Sequence, residues 1–371
     1  LFGDIPLVTE ESAVGLQAPD QKTREEVFSF VESELTAITD SEGDETLPPV
    51  GQAEYGRADQ GAAYMVLAKL YLNAEVYTGT ARYDDAIDAT EQIIDSGAYT
   101  LEENYQELFL ADNHTANGII FSIPQDGERT QNFGGTTFLG HASIGGGTMN
   151  AADYGFNFGW WGLRTTENVV NRFPDLSGEA DTRGIFFAEN QAVAINSLTD
   201  FTQGIAVPKF RNVTSGCEPA GYVIPEENDI PACRAGANSE FPDIDFPLFR
   251  LADAYLMYAE ATLRGGGGSE SKAQSLVNDL RERAGMGRDV GTDDGPSLTL
   301  DFLLEERSRE LLWEASRRTD LVRYEQFTES GTWPWKGGQQ EGTTTSGNLD
   351  LYPIPQSQLQ VNDNLEQNPG Y

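Results

Sequence analysis

From Gly61 to Asn73 nearly every residue is apolar or small. At helical period such a stretch has no face fit for water, so it must be enclosed by other elements. A turn around Thr78-Gly79 follows. Tyr83, Ala86, Ile87, Thr90, Ile93 and Ile94 then recur at i, i+3, i+4, i+7, and Gly97 ends the run. The two stretches predict a helical hairpin, and the pattern returns later in the chain. Arg250 to Leu263 reads as one mostly apolar helix, broken by four glycines at 265–268. Its partner carries the stripe Ala273, Leu276, Val277, Leu280 and Ala284, closed by Gly285.

Two further helical stretches flank these pairs. Thr23-Arg24-Glu25-Glu26 has capping-box spacing and opens a helix with Val27, Phe30, Val31, Leu35 and Ile38 on one face. Leu300 to Tyr324 presents Leu304, Leu311, Leu312 and Ala315 on one side. Small residues at the contacts of repeated hairpins suggest a tetratricopeptide-like array. Leu67-Ala68-x-x-Tyr71 and Tyr83-Asp84-Asp85-Ala86-Ile87 match its two helices, although the loop between them is too long for a 34-residue repeat. The expected fold is mainly α: tetratricopeptide-like hairpins forming a scaffold, with long irregular loops and a few short strands. Residues 125–165 and 190–247 supply those loops, rich in Gly, Asn, Thr and aromatics. Loops of this length in a compact domain usually serve function.

Charge excludes some functions. The formal net charge is −36, from 24 Lys+Arg against 60 Asp+Glu. Such a chain repels phosphate backbones and anionic lipid, so neither nucleic acid nor a basic membrane patch fits. A salt-adapted surface, a polycationic partner or calcium sites would each account for the surplus. Five lysines among those cations favour the first. Asp289 to Asp294 offers oxygen ligands for a structural calcium but lacks EF-hand spacing, and a solvated acidic loop is the simpler reading. No other cofactor is implied. Cys217 and Cys233 enclose a short loop, which favours a disulfide and an oxidising compartment over two separate thiols. Neither His114 nor His141 lies near them, which disfavours zinc. No run of 18 apolar residues occurs, and the first residues lack a signal-peptide pattern.

With these elements placed, the chain resembles the SusD/RagB family of outer-membrane nutrient-binding lipoproteins. The motifs run the whole length: Phe2-Gly3-Asp4-Ile5-Pro6-Leu7; Gly56-Arg57-Ala58; Thr166 to Phe173 with Asp181-Thr182-Arg183; and Arg250 to Ala261 with Val277 to Gly285. Glu305 to Glu310, Asp320 to Tyr324, and the tail from Tyr352-Pro353-Ile354-Pro355 to Asn368-Pro369-Gly370-Tyr371 complete the set. Each alone is weak; their order is what makes the likeness specific. The resemblance implies a helical scaffold over 20–110 and 247–328, a loop-rich ligand-facing insert over 118–246, and an extended tail over 329–371. It implies a single unit over 1–371 that lacks the family's N-terminal segment and lipidated cysteine. It also implies glycan binding at the cell-surface face of the outer membrane, with delivery to a SusC-like TonB-dependent transporter. The family's arginines, here Arg250, Arg281, Arg283, Arg317, Arg318 and Arg323, are expected to pair with helix carboxylates and carbonyls rather than bind ligand.

A neutral sugar is held by flat aromatic faces over its C–H surfaces and planar polar groups on its hydroxyls. The densest run of that kind is Tyr154-Gly155-Phe156-Asn157-Phe158-Gly159-Trp160-Trp161. Trp160 and Trp161 are the expected stacking residues, with Tyr154, Asn157 and Asn132 as hydrogen-bonding partners and Phe156 beside them. Phe133 and His141 lie in the preceding Gly-rich loop. The alternation of Tyr154, Phe156, Phe158 and Trp160 equally suits a half-buried strand. Trp333-Pro334-Trp335 with Lys336 is a second candidate. No His-Glu-x-x-His, Gly-x-Ser-x-Gly or P-loop is present, so catalysis is not expected. The alternatives are a tetratricopeptide-like protein-binding scaffold with these aromatics buried, and a glycan-processing enzyme. The acidic balance points to a neutral or well-screened glycan.

Overall fold

The structure is a computed structural model and describes residues 1–10, 12, 18–40, 46–145, 149–216 and 236–371. Cys217 and Cys233 lie outside the described residues. Antiparallel β1 (Ile5–Pro6) and β2 (Gln21–Lys22) lead into α1 (Arg24–Thr39). The capping box is formed: the Thr23 hydroxyl accepts from the Glu26 amide at 3.2 Å, and the Thr23 amide donates to the Glu26 carboxylate at 2.8 Å. The apolar stretch becomes α2 (Gln60–Leu72), followed by α3 (Ala74–Thr78) and the amphipathic α4 (Tyr83–Ile94).

Strand β3 (Ile119–Ile123) then opens the long insert, which carries α5 (Gly135–Ser143) and α6 (Glu167–Val170). Strand β4 (Phe246–Arg250) closes it by pairing antiparallel with β3, Ile119 opposite Arg250 and Ile123 opposite Phe246. Entry and exit of the insert are therefore adjacent, and everything between is displayed from one base. Helices α7 (Leu251–Leu263) and α8 (Glu270–Arg283) form the second hairpin. Helix α2 packs on α4, α4 on α7, and α7 on α8, so the two hairpins stack into one core.

The stretch expected to run from Leu300 to Tyr324 divides into α9 (Leu300–Glu310) and α10 (Arg317–Arg323). Between them Trp313 and Ala315 adopt left-handed φ of 64° and 60°, and Ala315, placed on the buried side by its spacing, is exposed. Tertiary bonds explain the break. The Glu310 carbonyl is taken by the Tyr105 hydroxyl at 2.6 Å and Arg250 at 3.0 Å, and the Leu312 carbonyl by Lys209 at 2.7 Å. Helical amides cannot compete for acceptors already occupied by buried side chains. The short α11 (Gln356–Leu359) precedes a tail fixed by Asn368, whose amide donates to the carbonyls of Phe2 and Tyr352.

Ion pairs join insert to scaffold. Arg183, fully buried, holds Asp181 through two bonds of 2.9 and 2.8 Å and reaches Glu306 at 2.6 Å. Arg250 pairs with Glu310 and Glu314, Arg283 with Glu310, Arg281 with Asp289, and Arg323 with Glu260 and Asp320. Burial pushes the Glu310 carboxyl up, but Arg283, Arg250 and Arg183 together override it and hold it well below the usual carboxylate range. The same contest leaves Glu260 at about 2, with Arg323 the strongest opponent of burial. Lys209 goes the other way: burial pulls it to about 8 despite the Glu314 carboxylate beside it. As the sequence suggests, most of these arginines serve structure. Asp289 is spoken for by Arg281, and no group of three or more His, Cys, Asp or Glu among the described residues is arranged to hold a metal.

Candidate functional site

The aromatic run forms no strand. A single 3-10 turn covers Ala151–Tyr154, and the chain then crosses the C-terminal end of α5 irregularly. The Trp160 amide donates to the His141 carbonyl at 2.8 Å, Trp161 to Ile144 at 3.0 Å, and Gly162 and Leu163 both to Ala142. Two glycines permit this approach. A Cβ on Gly140 would lie 2.2 Å from the Phe156 ring, and one on Gly145, whose φ is 133°, only 1.4 Å from the Trp161 indole.

His141 is the centre of the assembly. Its ring is buried, stacks on Trp160 at 4.7 Å and 11°, and lies 4.6 Å from Phe156 and 5.3 Å from Phe158. One ring nitrogen is 2.7 Å from the Phe158 carbonyl and the other 2.8 Å from that of Glu240. This single side chain thus ties α5, the aromatic run and the segment leading to β4 together, and it fixes the plane of the Trp160 indole. Phe133 contacts Trp160 and Phe241, and Phe138 contacts Trp160. Phe133 is 60% exposed, Phe158 47% and Trp161 44%. The result is a joined surface of Phe133, Phe138 and Trp160 on a buried support, with Phe158 exposed beside His141 and Trp161 exposed against Gly145. Scattered surface apolar residues are ordinary, whereas joined exposed aromatics make this patch the candidate site.

The structure separates the expected residues. Trp160 is the half-buried centre of the platform, Trp161 is exposed next to it in the chain, and Asn132 and Asn157 are exposed. The Asn132 amide is used locally, accepting from Gly134 and donating to Thr130. Phe156 is 2% exposed and supports the platform from beneath, so its expected place beside a ligand is corrected. Tyr154 is half-buried, packed on the same inner cluster with the Arg211 guanidinium 5.4 Å from its ring. Its backbone follows the 3-10 turn, which directs Tyr154 and Phe156 inward before the chain emerges. Trp333 and Trp335 lie elsewhere, in a cleft between α9–α10 and the tail; Trp335 donates its indole N–H to the Ile195 carbonyl at 2.9 Å. Phe138 and Phe241 were missed. Phe138 had a signal: it is the exposed aromatic of a short helix whose Thr136, Thr137, Gly140 and His141 are buried.

The model of the SusD family matches residues 146–371. The starch-binding protein SusD of Bacteroides thetaiotaomicron is 33% identical over 419 residues, spanning 100% of this chain and 69% of the relative. A SusD-like protein, P2, of Formosa agariphila is 25% identical and covers all of this chain and 70% of its own. The chain belongs to the SusD family. Among solved structures, surface glycan-binding protein A of Bacteroides fluxus superposes with a TM-score of 0.73 at 22% identity, covering 100% of this chain and 74% of that one. The corresponding Bacteroides thetaiotaomicron protein, solved with laminarihexaose, has a TM-score of 0.70 at 20% identity over 99% of this chain and 74% of its own. These likenesses establish the mainly helical fold with its two small sheets.

Proposed function

We propose that this chain binds a glycan without processing it, at the outer face of the outer membrane, and passes it to a TonB-dependent transporter. The observation that carries the reading is the platform of exposed Phe133, Phe138, Phe158 and Trp161 around half-buried Trp160, whose indole a buried His141 holds in place. Rigid aromatic faces cover sugar C–H surfaces at little entropic cost. The exposed amide of Asn157 supplies a planar group beside them. A scaffold with these aromatics buried would present a different surface. The starch-binding relative and the laminarihexaose-bound neighbour both make neutral glucans the first ligands to test.

Delivery to a transporter requires release, so affinity in the micromolar to millimolar range is expected, roughly −8 to −4 kcal/mol. Calorimetry with maltoheptaose and laminarihexaose tests binding, with a reducing-sugar assay on the same mixtures. Saturable heat without new reducing ends is the expected result. Neither glucan binding at millimolar concentration would remove the neutral-glucan reading, and sustained release of reducing ends would replace it with an enzyme. Surface location is tested by protease shaving of intact cells, and the transporter by its co-purification with the chain.

A further inference from the structure

The second aromatic site differs in its charge. The cleft of about 680 Å³ bordered by Trp313, Trp333 and Trp335 falls in the size range of small-ligand pockets. Among the described residues no Asp or Glu lines it, in a chain with 36 surplus carboxylates. Five arginines line it instead. Arg307 is neutralised by Asp253 and Asp320, each at 3.0 Å. The other four share one carboxylate among the described residues: Glu305 sits 2.7 Å from Arg172 and 3.8 Å from Arg317. Among the described residues Arg318 donates to the carbonyls of Leu349 and Asp350 alone, and it lies over the rings of Phe327 and Tyr352. Arg164 donates to the carbonyls of Leu163 and Phe201, and its second terminal nitrogen is buried with no hydrogen-bond partner among the described residues.

An orphaned buried guanidinium N–H is costly, and such groups call for an explanation. Burial pulls the Arg164 guanidinium below its ordinary value, and burial together with the neighbouring Arg172 does the same to Arg317. Burial leads at both, and at Arg317 the Glu305 and Asp320 carboxylates offset it only in part. The backbone is strained at the same place. Trp313, Ala315 and Trp335 all line the cleft with left-handed φ of 64°, 60° and 69°. The buried bonds to the Glu310 and Leu312 carbonyls impose the first two, and non-glycine strain held in this way is frequent at ligand sites.

We propose that this cleft is a second binding site, for an anionic oligosaccharide, with the acidic group on Arg164 and Arg317 and a sugar face against an indole. The saccharide part rests on the function proposed above; the anionic part rests on the cleft alone. Planar guanidinia suit carboxylate and sulfate esters alike, and indoles supply the ring contact. The surplus surface carboxylates do not forbid this. Exposed charges beyond about 8 Å are screened at physiological ionic strength, whereas guanidinia in contact with the ligand act unscreened.

Calorimetry on the 371-residue chain tests the site with tetragalacturonate, a sulfated galactan tetramer, maltotetraose and sodium sulfate. At least one acidic tetramer is expected to bind at least tenfold more tightly than maltotetraose, and the tighter one identifies carboxylate or sulfate as the group read. Arg164→Gln and Arg317→Gln should each weaken that binding about tenfold or more. Arg164→Lys, which keeps the charge without the fork, should fall between wild type and Arg164→Gln and guards against a folding artefact. Acidic-tetramer affinity unchanged in both glutamine variants overturns the proposal, and so does binding of sulfate alone. Arginine-dependent uronate binding in a chain that ignores neutral glucans would sink the neutral platform reading and leave this site standing.

Discussion

Trp161→Gly separates binding from folding at the platform. Trp161 has a φ of 57°, a left-handed conformation that costs an L-residue about 1–2 kcal/mol and glycine nothing. Its indole rests against Gly145 and is 44% exposed. Of the roughly 250 Å² a large aromatic offers, about 100 Å² is therefore free to meet a sugar. At about 25 cal/mol per Å², full coverage would contribute about 2.5 kcal/mol, close to seventyfold in affinity. Coverage of half that area gives about tenfold. The substitution should accordingly weaken a neutral glucan between about ten- and seventyfold. Loss of the indole's contacts is offset by relief of the strained φ, so urea unfolding followed by far-UV circular dichroism should move by no more than about 1 kcal/mol. Trp161→Ala keeps the strain and should be about 1 kcal/mol less stable than Trp161→Gly. Affinity within twofold of wild type in a stable Trp161→Gly chain would refute Trp161 as a stacking residue. A stability loss above about 3 kcal/mol would show that the indole is a core element instead.

Three further outcomes follow from the interior. Phe156→Ala should cost about 3–5 kcal/mol, because the ring is 2% exposed and supports His141, and denaturant titration reads it directly. Arg183→Met should cost about 3–5 kcal/mol by leaving Asp181, Glu306 and Glu310 buried around a neutral side chain; a loss below 1 kcal/mol would contradict the pairing described. Glu260, Glu306 and Glu310 ionise below their unfolded values, so as pH falls the unfolded chain takes up protons first. Stability should be intact above the ordinary glutamate value of 4.5 and decline toward pH 2, Glu260 alone accounting for about 3 kcal/mol. A melting temperature that stays flat from pH 6 to pH 2.5 would contradict this.

The hairpins were legible because burial on all sides leaves a local trace: Gly61 to Asn73 has no polar face, and α2 lies where that run predicts. Capping at Thr23 was legible for the same reason, since both partners sit within one turn. Trp160 and Trp161 were legible as candidates from density and spacing alone. What spacing could not supply was direction. The alternation from Tyr154 to Trp160 resembled a strand, yet a 3-10 turn sends Tyr154 and Phe156 inward and leaves Phe158 and Trp161 outside. The break after Glu310 was equally hidden, because its cause is three side chains distant in sequence.

By itself the sequence determined the helical scaffold, the family and the neighbourhood of the aromatic surface, because each is written in residues close together along the chain. The tertiary structure decided which aromatics face solvent, through a histidine whose bonds reach Phe158 and Glu240. It also decided how the charge is distributed. Sixty acidic residues average to a repellent surface, but averages say nothing about a cleft lined by Arg164, Arg172, Arg317 and Arg318, of which only Arg172 and Arg317 reach a glutamate. Electrostatics at contact depends on which charges the fold brings within a few ångströms, and only packing sets that.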